Sequence, residues 1–190
     1  DFRLSNCTKI VAKHSLFNKS NFNKSHFVDC CFSSSLFNLV KSLHTIWDNT
    51  KAESIEARYA NFTGCKISEK CHFENSDFSH SILDGIKAPR ANFANARMDY
   101  VKIGYGKFAE GCFDNVSMRF ADLDSCVFSE SKCKKLDFTG GNMFNVRMIK
   151  SDMSGSVWNG SEVRDSNFSG ANWKNTNIKD TILEGVNNHR

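Results

Sequence analysis

The chain repeats its alternation of apolar and polar positions every fifth residue. In "ANFANARMDYVKIGYGKFAEG", Ala91 to Gly111, the third letter of each five is Phe93, Met98, Ile103 and Phe108, and the first is Ala91, Ala96, Val101 and Gly106. An amphipathic helix has a period of 3.6 and a half-buried strand a period of 2, so neither places a bulky side chain at each fifth residue. From Cys71 to Gly185 this frame runs through twenty-three repeats without a slip. Its third positions read Phe73, Phe78, Leu83, Ala88, then Phe93 to Phe108 as above. They continue Phe113, Met118, Leu123, Phe128, Cys133, Phe138, Met143, Met148, Met153, Trp158, Val163, Phe168, Trp173, Ile178 and Leu183. Residues 1–36 and 55–69 keep the same period displaced by one residue, which marks Lys70 as an insertion. The third positions of that earlier frame include Phe2, Cys7, Ala12, Phe17, Phe22, Phe27, Phe32, Phe37, Phe62 and Ile67.

One stretch reads differently. Leu36, Leu39, Val40, Leu43, Ile46 and Trp47 stand three and four apart, which predicts an amphipathic helix over residues 37–49. The five-residue frame is weak there, with Ser42, Ala52 and Ala57 at third positions, so residues 37–54 are expected to leave the repeat.

A bulky residue at every fifth place must point to one axis inside a sided tube, with the small first-position residues filling its corners. The triplets Ala60-Asn61-Phe62, Ser76-Asp77-Phe78, Ala91-Asn92-Phe93, Ala121-Asp122-Leu123, Ser151-Asp152-Met153, Ser166-Asn167-Phe168 and Ala171-Asn172-Trp173 carry this pattern. They resemble the motif of the pentapeptide-repeat family: a small residue, Asp or Asn, then Leu or Phe. The resemblance spans nearly the whole chain. It implies an all-β fold, a right-handed quadrilateral parallel β-helix in which four repeats complete a coil and residues 20 apart stack. Phe108, Phe128, Met148 and Phe168 form one expected ladder; Met98, Met118, Phe138, Trp158 and Ile178 form another. Asp and Asn beside the corners suit tight turns. The 190 residues read as a single β-helix domain, part of a larger protein, whose open end calls for capping by another domain or a second copy.

Composition narrows the function classes. Charged residues make up 24% and hydrophobic ones 40%, the balance of a folded chain rather than a disordered one. No apolar run reaches the length of a membrane span. The net charge of +4 is too small to demand nucleic acid, and it departs from an acidic DNA mimic. Of eight cysteines, Cys7 and Cys133 fall at third positions and Cys30, Cys65, Cys71 and Cys126 at first positions, where a thiol acts as a small hydrophobe. Free thiols and a reducing compartment are expected, the bacterial cytoplasm or a host cytosol. The six histidines do not share metal-ligand spacing, and no nucleophile, zinc or phosphate-loop motif occurs. No catalytic group, cofactor, metal or small-molecule substrate is therefore expected.

Function then falls to the outward positions. Tyr100 and Phe120 both stand fifth in their repeats, 20 apart. His80 precedes them in that column, and Tyr59 precedes His80 once Lys70 is counted out. Tyr105 stands at the next corner, with Arg97 and Arg119 nearby. Together these seven residues are the expected protein-binding site, since clustered exposed aromatics and arginines favour contact. The resemblance implies three roles. The chain is similar to the N-terminal β-helix of bacterial type III effectors that act as HECT-like ubiquitin ligases, which binds host partners or substrates beside a separate catalytic region. It also looks like the quinolone-resistance members, acidic DNA mimics that bind gyrase. The third role is a stand-alone scaffold. The expected function is the first: a non-catalytic protein–protein interaction module, the partner- or substrate-binding domain of a bacterial effector.

Overall fold

The computed structural model describes residues 1–188 as one parallel β-solenoid containing strands and turns and, among these residues, no helix. The backbone turns a corner every five residues. At nearly every corner the fifth-position residue takes a positive φ, from Leu4 (57°) to Asp180 (57°), whether or not it is glycine. Non-glycine residues resist that conformation. Here most are pinned by bonds between coils: Tyr100 N donates to Arg119 O at 2.9 Å and Phe120 N to Thr139 O at 3.0 Å.

Four corners complete a coil, so second-position residues 20 apart pair in parallel, and four columns define four sides. Side 1 carries Asn6, His26, Ile46, Lys66, Lys87, Lys107, Val127 and Arg147. Side 2 starts at Val11 and side 3 at Leu16; side 4 starts at Asp1, where Phe2 N donates to Asn21 O at 2.8 Å, and continues through Asn21. The three-residue strands β1 (Asn6–Thr8), β2 (His26–Val28), β3 (Ile46–Asp48) and the shorter β4 (Lys66–Ile67) lie on side 1. Strands β5 (Lys102–Gly104), β6 (Asp122–Asp124), β7 (Asn142–Phe144), β8 (Glu162–Arg164) and β9 (Ile182–Glu184) lie on side 4. They form two parallel sheets in sequence order. Between them, pairing steps from 20 residues (Cys31↔Lys51) to 21 (Lys51↔His72). The extra residue sits in the corner Ser68–Glu69–Lys70, closed by Cys71 N to Ser68 O at 3.1 Å. Arg90 holds this corner down, reaching Glu69 at 3.1 Å and Glu110 at 2.9 Å.

Third-position side chains fill the axis. Phe27, Phe37, Trp47, Phe73, Met98, Phe108, Trp158 and Phe168 are essentially solvent-free. Rings one coil apart stack, as Phe108 on Phe128 at 4.9 Å and 16°. Each buried rung contributes roughly 1.5–3 kcal/mol.

The helix expected over residues 37–49 is absent. This segment keeps the repeat: Phe37, Ser42, Trp47, Ala52 and Ala57 all point inward and are buried. The reason is volume. One coil combines a tryptophan with three small residues, and the Trp47 indole fills the section, touching Phe27, Phe32, Phe37, Phe62 and Phe73. The helical spacing arose by mixing inward Val40 and Trp47 with outward Leu36, Leu39, Leu43 and Ile46. Leu39 occupies a corner with φ 60° and is half-exposed.

First-position side chains line the corners. The thiols of Cys65, Cys71 and Cys126 donate to carbonyls of the preceding coil, at 2.7 Å to Ser42, 3.2 Å to Trp47 and 3.2 Å to Ile103. Burial pushes the Cys65 thiol up to about 11 and that of Cys126 to about 12. None of the eight cysteines is in a disulfide; Cys31 and Cys112 face outward from side 2 and are partly exposed.

Candidate protein-binding site

The corner between sides 3 and 4 carries a column of rings. Tyr59 and His80 stack at 4.8 Å and 7°, His80 and Tyr100 at 4.8 Å and 3°, Tyr100 and Phe120 at 5.1 Å and 17°. The spacing is that of the coils, about 4.8 Å. The rings are in register because each corner residue has the same backbone conformation. Offset-stacked aromatic pairs stabilise by roughly 0.5–1.5 kcal/mol beyond their burial. Stacking hides the ring faces and leaves the edges outward: Tyr59 stays 58% exposed, Tyr100 and Phe120 51% each. The outward edge therefore presents two phenol hydroxyls and an imidazole among apolar rims. The column ends at Gly140, where an added Cβ would stand 2.6 Å from the Phe120 ring. The glycine is what lets Phe120 lie flat across the next coil.

Side 3 supports the column with ion pairs. Asp99, between Met98 and Tyr100 in sequence, has a carboxylate only 2% exposed. It accepts from Arg97 Nε at 2.9 Å, Arg119 Nη2 at 3.1 Å, Arg119 N at 3.0 Å and Ser117 Oγ at 2.5 Å. Burial alone would raise its pKa, but the Arg119, Ser117 and Arg97 donors outweigh this and hold it at about 2. One coil earlier Arg58 binds Asp77 at 2.6 Å; one coil later Arg119 approaches Asp137 at 3.9 Å. On the other flank Ile82, on side 4, is 37% exposed.

Four of the seven expected site residues thus form one column, with Arg97 and Arg119 beside it. Tyr105 does not join. It stands one corner away, 68% exposed, beside a shallow depression lined by Asp84, Lys102, Gly104, Asp122, Asp124 and Phe144. Sequence reasoning missed Asp99. A lone Asp at a fourth position looks like any solvated turn residue. Its signal is that Arg97 lies two residues before it and Arg119 twenty after, the offset that faces its side chain across one coil.

Among the described residues no group of three or more His, Cys, Asp or Glu could hold a metal ion. No helix is long and apolar enough to cross a membrane. A concavity of about 1180 Å³ lies at the end of the tube around Trp173, Ile178, Leu183 and Val186.

No protein-family model matches the sequence, and no curated protein matches it. Solved structures do match. HetL, a pentapeptide repeat protein involved in heterocyst differentiation regulation in the cyanobacterium Nostoc sp., superposes with a TM-score of 0.77 at 12% identity, over 98% of this chain and 90% of HetL. A trypsin-treated variant of QnrB1, a plasmid-mediated fluoroquinolone resistance protein, superposes with a TM-score of 0.63 at 14% identity, over 94% of this chain and 92% of QnrB1. The chain has the β-solenoid fold of these pentapeptide-repeat proteins.

Proposed function

We propose that this chain is a non-catalytic protein-binding module whose contact surface is the column Tyr59, His80, Tyr100 and Phe120 with Arg97 and Arg119 on its flank. One observation carries the reading: four half-exposed rings held in register on a rigid rod. Rigid aromatic anchors with adjacent arginines are what protein contacts favour, because little conformational entropy is lost on binding. The partner- or substrate-binding role in a bacterial effector is the specific form of this reading. It rests on the resemblance of the repeat to the β-helix domain of such effectors.

A pull-down with the wild-type chain and with Tyr100→Ala/Phe120→Ala tests the surface, with circular dichroism as a check on folding. Proteins held by the wild type and lost by the double variant support it. Equal capture by both removes the column from the contact.

Gyrase binding as a duplex-DNA mimic is the second reading. One observation favours it: side 4 carries Asp84, Asp122 and Asp124 against Lys102 over three successive coils. Protection of gyrase supercoiling from a quinolone by the wild type, lost on Asp122→Asn/Asp124→Asn, would rank this reading above the first.

A further inference from the structure

Side 1 carries a second surface with its own chemistry. Lys66, Lys87 and Lys107 pair with one another in parallel on successive coils, and Arg147 follows after Val127. All four cations are exposed. Among the described residues none of the four forms an ion pair, although most other arginines do. Over the length of the row the fourth-position column alongside is Ser68, Pro89, Ala109, Ser129 and Ile149, without a carboxylate; Asp48, one coil before Lys66, is the carboxylate of that column and, among the described residues, forms no ion pair with the row. Coils rise about 4.8 Å, so the row sets like charges about 5 Å apart at the backbone and runs for about 20 Å. Like charges in register on adjacent strands repel one another, which destabilises the coil-to-coil pairing. An anionic partner along the row would relieve that repulsion.

We propose that side 1 binds an extended acidic segment of a partner protein, laid along the rod across Lys66, Lys87, Lys107 and Arg147. Width selects this occupant. A side three residues across measures about 10 Å, enough for one extended chain and narrower than the roughly 12 Å of a DNA major groove alone. A duplex or an anionic bilayer would overhang the row. It would meet Asp84 and Asp124 past the Tyr105 corner and Glu110 and Glu130 on the opposite one. A single nucleic-acid strand would need rings to stack on, and the two outward columns of this side from Lys66 to Ile149 hold none. An extended acidic peptide presents alternate carboxylates about 6.8 Å apart, within reach of flexible lysine stems.

The test is fluorescence anisotropy with a labelled peptide of alternating Glu and Ser at low ionic strength. Wild type should bind, and Lys66→Gln/Lys87→Gln/Lys107→Gln should weaken binding about tenfold or more, as should a rise in salt that shortens the Debye length to about 3 Å. Val127→Lys, which completes the row, should tighten binding about threefold. Tyr100→Ala/Phe120→Ala should bind the peptide like the wild type, so this surface and the aromatic column fail or stand separately. Thermal melts confirm that each variant is folded. No binding, or equal binding by the triple variant, overturns the proposal. So does capture of a duplex oligonucleotide or phosphatidylserine vesicles through these lysines in preference to the peptide.

Discussion

Sides 1 and 3 are built from the same repeat, on the same coils, with opposite electrostatics. On side 3 the arginines Arg58, Arg97 and Arg119 each meet a carboxylate, and Asp99 draws two of them together. On side 1 Lys66, Lys87 and Lys107 lie in register without a counter-charge. The difference is one of offset. A charge on a solenoid faces its own column 20 residues away and the neighbouring column of the same side 18 or 22 away. Side 3 alternates sign across those offsets, so its charges cancel within the molecule. Side 1 repeats one sign from Lys66 to Arg147, and among the described residues Asp48 at its near end forms no ion pair with the row, so those charges stay available. The paired side stabilises the rod, and the unpaired side is left for a partner.

Removing Asp99 should break the paired side most severely. Asp99→Ala deletes four hydrogen bonds to a buried carboxylate. The expected loss is about 2 kcal/mol, or a fall in melting temperature of roughly 4–8 °C. An unchanged melt would mean that the pairs on side 3 contribute nothing. The same residue sets an acid limb. Its folded pKa, about 2, lies below the unfolded value near 4. Its contribution is therefore complete above about pH 4–5 and is lost as pH falls toward 2. Asp77, raised by burial but lowered further by Ser79 and Arg58, adds to the same limb. A pH series of melts should show stability falling over that window, and a shallower fall in Asp99→Asn.

The aromatic column should matter about as much to the fold and more to binding. Tyr100→Ala/Phe120→Ala removes two stacked contacts, so the expected loss is about 1–3 kcal/mol. Gly140→Ala keeps every ring but places a methyl against Phe120. It should lower the melting temperature by a few degrees, since the added methyl sits at a positive φ and displaces the ring. If Gly140→Ala weakens partner capture as much as Phe120→Ala does, ring position rather than ring area governs the contact.

The interior was legible in the sequence and the exterior only partly so. Third positions obey a single rule, apolar and large enough to fill the axis, and that rule survives noise. It was misread only at Ser42, Ala52 and Ala57, where Trp47 makes up the volume that three neighbours lack. Volume is shared among residues several repeats apart, and a period written one residue at a time does not show that. The column Tyr59–His80–Tyr100–Phe120 was readable because its members differ from their surroundings. Asp99 was not, because an aspartate near a turn is ordinary until the coil offset brings Arg119 to it. Side 1 was invisible for the opposite reason. Each lysine looked like one more solvated charge, and only stacking in one column makes them a row.

Lys66→Gln/Lys87→Gln/Lys107→Gln removes three cations that hold no ion pair among the described residues. Exposed substitutions of this kind rarely move stability far, and relief of like-charge repulsion acts in the stabilising direction. The melting temperature should change by less than about 2 °C at moderate salt and should rise at low salt, where repulsion along the row is least screened. A rise at low salt that vanishes as salt is added would show that side 1 carries a strain in the free rod. A fall at every salt concentration would mean the lysines find partners in the chain itself, and side 1 would then resemble side 3.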